Sequence, residues 1–270
     1  MPAVRPAAVA GMFYPEEPAV LATEVRAYLA AAGLPPPGAA RPRALIVPHA
    51  GYMYSGAIAA CAYRRLLGQA ETIERVVLLG PAHRVPVRGL ALPAARAFAT
   101  PLGTVEVDAD AVARALRLPQ VCKSDAAHAQ EHSLEVQLPF LQTLLEDFRI
   151  VPFAVGDASA AQVAEVIELL WDGPQTLIVV SSDLSHYHGY ADARQIDRAT
   201  ANAVLALSAT LHGEQACGAT PVNALLLAAR KRGLRPELVD LRNSGDTAGD
   251  RSRVVGYASF VFGEAGDGRI

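Results

Sequence analysis

The sequence predicts an α/β fold, with a mainly parallel central sheet flanked by helices on both faces. Four short apolar runs stand well apart along the chain, the pattern of parallel strands buried on both sides. Segments with apolar residues at helical spacing lie between them. Histidines follow two of these runs directly and a third within a few residues, and open α/β sheets bind ligands beyond the carboxyl ends of their strands.

In chain order, Leu21, Val25 and Leu29 recur at helical spacing and predict a helix over about residues 19–32. The Pro-rich stretch 35–42, Pro35-Pro36-Pro37-Gly38 through Arg41-Pro42, reads as a stiff connector. A lone helix cannot bury its apolar side, so segment 1–34 is expected to pack on the body, giving one domain over residues 1–270. The first run is Ala44-Leu45-Ile46-Val47, followed by a helix over about 55–67. The second, third and fourth runs are 75–80, 150–155 and 176–180, and a later helix is expected over 219–230. Segments 237–241 and 254–262 read as further strands at a sheet edge.

Composition narrows the function classes. The chain has 270 residues, net charge −3 and no basic block, which disfavours nucleic-acid binding through a cationic face. No apolar stretch approaches the ~20 residues of a membrane helix. Three widely spaced cysteines do not make a disulfide framework, and with no hydrophobic signal core the expected compartment is the cytoplasm. No P-loop and no dinucleotide-binding glycine pattern follows a strand, so no nucleotide cofactor is expected.

The chemistry-bearing residues cluster after the runs. His49 follows the first in Pro48-His49-Ala50-Gly51-Tyr52, and His83 follows the second in Gly80-Pro81-Ala82-His83. Asp183 and His186 follow the fourth in Ser181-Ser182-Asp183-Leu184-Ser185-His186. Two neutral imidazoles supply half a metal site, and Asp183, His186 or a thiol could complete it. Cys217 stands just before the predicted helix 219–230, where a helix dipole would favour its thiolate; Cys61 reads as a buried thiol. Cys122 falls in a short polar loop with no evident partner. His128 and His132 are four apart, a spacing that on a helix shares one face, yet the order of residues is not HExxH. Glu131 and His132 read better as groups lining the pocket and orienting ligands. Tyr52, Tyr54 and Tyr187 could form an aromatic wall or simply pack. Ser182, Asp183 and His186 suggest a hydrolase triad, but no GxSxG elbow is present.

These motifs, with Gly11-Met12-Phe13-Tyr14-Pro15, Thr100-Pro101-Leu102-Gly103, Glu131-His132-Ser133-Leu134-Glu135, Cys217-Gly218 and Val255-Gly256-Tyr257, resemble the Memo family. Its prokaryotic members are called AmmeMemoRadiSam system protein B. The resemblance runs nearly end to end and implies a fold similar to class III extradiol (LigB-type) dioxygenases, which hold iron with two His and one Glu. It implies His49, His83 and Cys217 as metal ligands, and Asp183 and His186 as catalytic pocket residues, His186 in acid–base work. A thiolate in place of the carboxylate makes copper or zinc competitive with iron. It also implies a functional link with a radical SAM protein and an AMMECR-type protein.

The expected function is therefore a metal-binding redox protein, iron- or copper-dependent and oxygen-using. Two alternatives stand beside it: a binding module that uses the cleft for a peptide or small ligand, and a zinc-dependent hydrolase with His, His, Cys and water.

Overall fold

The structure is a computed structural model that describes residues 3–36, 38–69 and 71–264; Pro37 of the connector and the chain ends lie outside the described residues. In chain order the elements begin β1 (Val4–Arg5), α1 (Pro18–Ala31), β2 (Pro42–Val47), α2 (Tyr52–Tyr63) and β3 (Arg75–Pro81). They continue with β4 (Leu90–Leu92), β5 (Ala97–Thr100), β6 (Gly103–Glu106), α3 (Ala109–Ala115) and β7 (Val121–Lys123). Next come α4 (Asp125–Ala129), α5 (Leu138–Leu144), β8 (Arg149–Val155), α6 (Ala160–Leu170) and β9 (Thr176–Ser181). The last are β10 (His186–His188), α7 (Tyr190–Leu205), α8 (Ala219–Lys231), β11 (Leu234–Asn243), α9 (Ser244–Thr247) and β12 (Val254–Glu264).

The four predicted runs form the centre of a nine-stranded sheet of order β10-β12-β2-β9-β3-β8-β4-β7, with β11 also paired to β12. Strands β2, β9, β3 and β8 are parallel, as their continuous apolar sequences require. The flanks are antiparallel: β12 on β2, β11 and β10 on β12, and β4 on β8. Segment 254–262 is therefore not at an edge. It lies within β12, between β2 and β11, and Phe260 and Phe262 are fully buried there. A separate small sheet joins β1, β5 and β6.

Alternate residues of each central strand face opposite sides. Leu45, Val47, Leu78 and Val179 join one core with Leu21, Val25, Tyr63 and Phe140 of α1, α2 and α5. Ile46, Val77, Phe153 and Val180 join the other with Val163, Ile167 and Leu225 of α6 and α8. Leu21, Val25 and Leu29 are thus buried, and α1 packs on α2 and α5. Each such side chain contributes about 1.5–3 kcal/mol, enough to hold α1 against the body. Among the described residues no helix is long and apolar enough to cross a membrane.

Candidate metal centre

Neighbouring parallel strands deliver the first part of the site. Past the end of β2, the His49 backbone N–H donates to Asp183 Oδ1 at 2.7 Å, and Ser182 N–H donates to Val47 O, so the two strand ends are tied together. Ser181, the last residue of β9, donates its hydroxyl to Ser133 O at 2.6 Å and accepts from Gln137 Nε2 at 2.8 Å. Its single proton is committed, so the His49 ring, 2.9 Å away through Nδ1, is the donor in that contact. His49 Nε2 is thereby left with its lone pair. Burial, then the charge of His83, pushes the His49 pKa down to about 3, so the ring is neutral and able to ligate.

His83 is fixed in the same sense by a carboxylate. Its backbone N–H donates to Glu131 Oε2 at 2.6 Å, and its Nδ1 lies 2.9 Å from Glu131 Oε1. Burial alone would raise the Glu131 pKa, but the bonds from His83 and from Ser133 N–H outweigh it and bring it to about 2. The ionised carboxylate places the proton on His83 Nδ1 and frees Nε2, as carboxylates behind metal-bound histidines do.

His132 joins them from the loop between α4 and α5. Its ring stacks on His83 at 4.7 Å and meets His49 edge-on at 5.4 Å. Burial foremost lowers its pKa to about 4; its buried Nδ1 lies 3.4 Å from Glu131 Oε1 and has no hydrogen-bond partner among the described residues. The loop comes this close because residue 80 is glycine: a Cβ there would stand 2.7 Å from Ser133 Oγ. One ligating nitrogen each from His49, His83 and His132 lies within 4.8 Å of the others, a spread that small ring movements close onto one ion. Cys217 Sγ lies 3.2 Å from His49 Nε2. Two donors bound at 2.0–2.3 Å and roughly right-angled or tetrahedral spacing stand about 3–3.6 Å apart, so this pair needs no movement. Ring nitrogens from three histidines beside a thiol suit a transition metal or zinc.

His49, His83, His132, Asp183, His186 and Cys217 line one cleft of about 810 Å³. His186 Nδ1 donates to Leu184 O at 2.8 Å, which leaves Nε2 as its free acceptor. Asp183 is buried, and burial foremost raises its pKa. Tyr187 is 64% exposed beside the cleft with φ at 63°, a left-handed backbone uncommon outside glycine.

Several sequence expectations are corrected. The helix-dipole effect on Cys217 is overridden: burial, then the Asp183 carboxylate, pushes its thiol up to about 12. The Tyr52 side chain is in the core rather than the cleft, its hydroxyl donating to Val136 O and its ring packing on Tyr14 and Phe140. Tyr54, half-buried on α2, is not among the cleft-lining residues. His128 and His132 do not share a helix face: His128 belongs to α4, buried with Nε2 on Ala91 O, and His132 follows in a turn. Cys61 is half-buried and its thiol is pushed up to about 11 by burial and then by Asp240, whereas Cys122 is exposed on β7. Ser181 and Gln137 were missed as positioning groups. Ser181 offered a signal as the last residue of an apolar run, while Gln137 offered none.

Residues 5–261 match the Memo-like protein family. A MEMO1 family protein of Aquifex aeolicus is 36% identical, covering 96% of this chain and 99% of its own. One from Archaeoglobus fulgidus is 38% identical, covering 94% and 97%. In fold, the chain is similar to an uncharacterized protein from Escherichia coli K12, with TM-score 0.53 and 14% identity over 82% of this chain and 99% of that one. With the family model matched over residues 5–261 and relatives 36–38% identical over nearly the full length, this chain belongs to the Memo-like family.

Proposed function

We propose that the protein is a redox-active metalloprotein that holds iron or copper in this cleft and acts as an oxygen-dependent oxidoreductase. The observation that carries it is the orientation of two imidazoles, His49 by Ser181 and His83 by Glu131, with His132 nitrogen beside them. Cys217, against His49 Nε2, supplies a soft donor that favours copper or iron over harder ions. A bound ion would supply electron transfer and an open coordination position for oxygen or substrate. The protein's own part is to orient and to move protons. Asp183 anchors the His49 backbone, and His186 presents Nε2 to the cleft as a proton acceptor within reach of a bound substrate. Cys217 loses its proton on ligation, so metal uptake releases acid. The proposed link with radical SAM and AMMECR-type proteins rests on the family resemblance.

A zinc hydrolase is the second reading, because three imidazoles around an open position is also a catalytic zinc arrangement. Metal analysis of anaerobically purified protein beside the His49→Ala/His83→Ala variant separates them. Iron or copper at near one per chain, lost in the variant, supports the redox reading. Zinc alone supports the hydrolase, and equal metal content in the two proteins removes the site.

A further inference from the structure

Behind the metal cleft lies a second, fully buried polar assembly that the proposed chemistry does not use. Arg5 and Glu135 are 4% and 0% exposed and pair at 2.5 Å. The Arg5 fork spans the loop that carries Glu131 and His132: Nε donates to His128 O and Nη2 to Glu131 O, each at 2.7 Å. Glu135 in turn collects the N-terminal segment, accepting from Ala8 N–H, Val9 N–H and the Tyr14 hydroxyl. Between these anchors Phe13 lays its ring against His132, 4.7 Å between centroids, and its carbonyl takes the Tyr52 N–H at the start of α2.

We infer that residues 4–14 form a strap belonging to the metal centre, with Arg5, Glu135 and Phe13 as positioning residues for Glu131 and His132. The inference rests on the metal-binding reading of the cleft. The geometry is one of opposed contacts on the same residues. Glu131 holds His83 with its side chain while its backbone carbonyl is held by Arg5. His132 faces His83 on one side and Phe13 on another. The loop places no regular secondary structure between Gln130 and Leu134, so its own backbone does not fix these side chains. A guanidinium suits the task because one rigid planar group reaches three acceptors at once, which an ammonium on a flexible stem cannot.

The test is cobalt(II) binding to the full-length chain, read by chelator competition and by the cobalt absorption spectrum. Arg5→Lys keeps the charge but loses the fork, and Phe13→Ala removes the contact on His132 without touching a buried charge. Both are expected to weaken cobalt binding about tenfold or more, the lower range for groups that orient ligands, and to shift the cobalt bands. Phe13→Leu, which retains apolar contact on the ring, is expected to recover most of the affinity. Variants that melt at lower temperature yet bind cobalt with wild-type affinity and spectrum would show a merely structural strap and overturn the inference, while leaving the metal reading intact. Wild-type protein that binds no iron, copper, zinc or cobalt would overturn both.

Discussion

His49 stands at the end of a central strand, while His132 stands on a loop, and the difference runs through everything that holds them. His49 has its backbone tied to Asp183, just past the end of the adjacent strand, and its ring tied to Ser181, the last residue of that strand. Its position follows from sheet register, Val47 opposite Ser181. His132 has no such frame. It is placed by Gly80, which admits the loop, by Glu131, by Phe13 and by an arginine 127 residues away in sequence. The candidate metal centre thus has one half tied to the sheet and one half whose geometry is set by remote tertiary contacts.

Acid should act on both halves at once. His49, His128 and His132 are held neutral in the fold, with pKa values lowered to about 3, 4 and 4, foremost by burial. In the unfolded chain they protonate near the ordinary ~6.5. Between these values the unfolded state binds more protons, so their contribution to stability is fully present above pH ~6.5 and is lost as pH falls toward 3–4. Three such groups give a slope of up to about 4 kcal/mol per pH unit in the metal-free protein. Urea unfolding of metal-free protein between pH 7 and 4 measures this, and a flat profile would contradict it.

Ser181→Ala strikes the strand-end half directly. It removes the acceptor of His49 Nδ1–H and Gln137 Nε2 and leaves Ser133 O without its donor. Buried groups left unpaired cost about 1–3 kcal/mol each, so a loss of roughly 3 kcal/mol in urea unfolding is expected, with weakened metal binding. On the loop half, Glu131→Gln keeps the shape and removes the charge behind His83. Metal affinity is expected to fall about 10–100-fold, measured by chelator competition. Tyr52→Phe should do least: loss of the hydroxyl bond to Val136 O costs about 1 kcal/mol. It should leave metal affinity unchanged, and a large loss would bring the core tyrosine back into the site.

The same contrast explains what was legible in the sequence. His49, His83, Asp183 and His186 follow apolar runs, so the rule that ligands gather at strand ends brought them to one cleft before any coordinates. Cys217 was placed by family resemblance and by its position before α8, but its protonation was misjudged, since burial is a tertiary property that outweighs a local dipole. His132 was read as a pocket-lining residue because its order with Glu131 and His128 is not HExxH. Arg5 and Glu135 were invisible as a pair, being separated by 130 residues. Tyr52 misled because adjacency to His49 in sequence says nothing about which way a helix turns its side chain. The antiparallel flanks were hidden for a related reason, as β12 has the same apolar character at an edge or in the interior.

The central claim is that strand-borne and loop-borne imidazoles meet on one ion, and X-ray absorption at the metal edge tests it most directly. The account predicts at least three imidazoles around the ion in the wild-type protein, one fewer in His132→Ala, and loss of the bound metal in His49→Ala/His83→Ala. A shell of oxygen donors without imidazole scattering, unchanged by these substitutions, would contradict it.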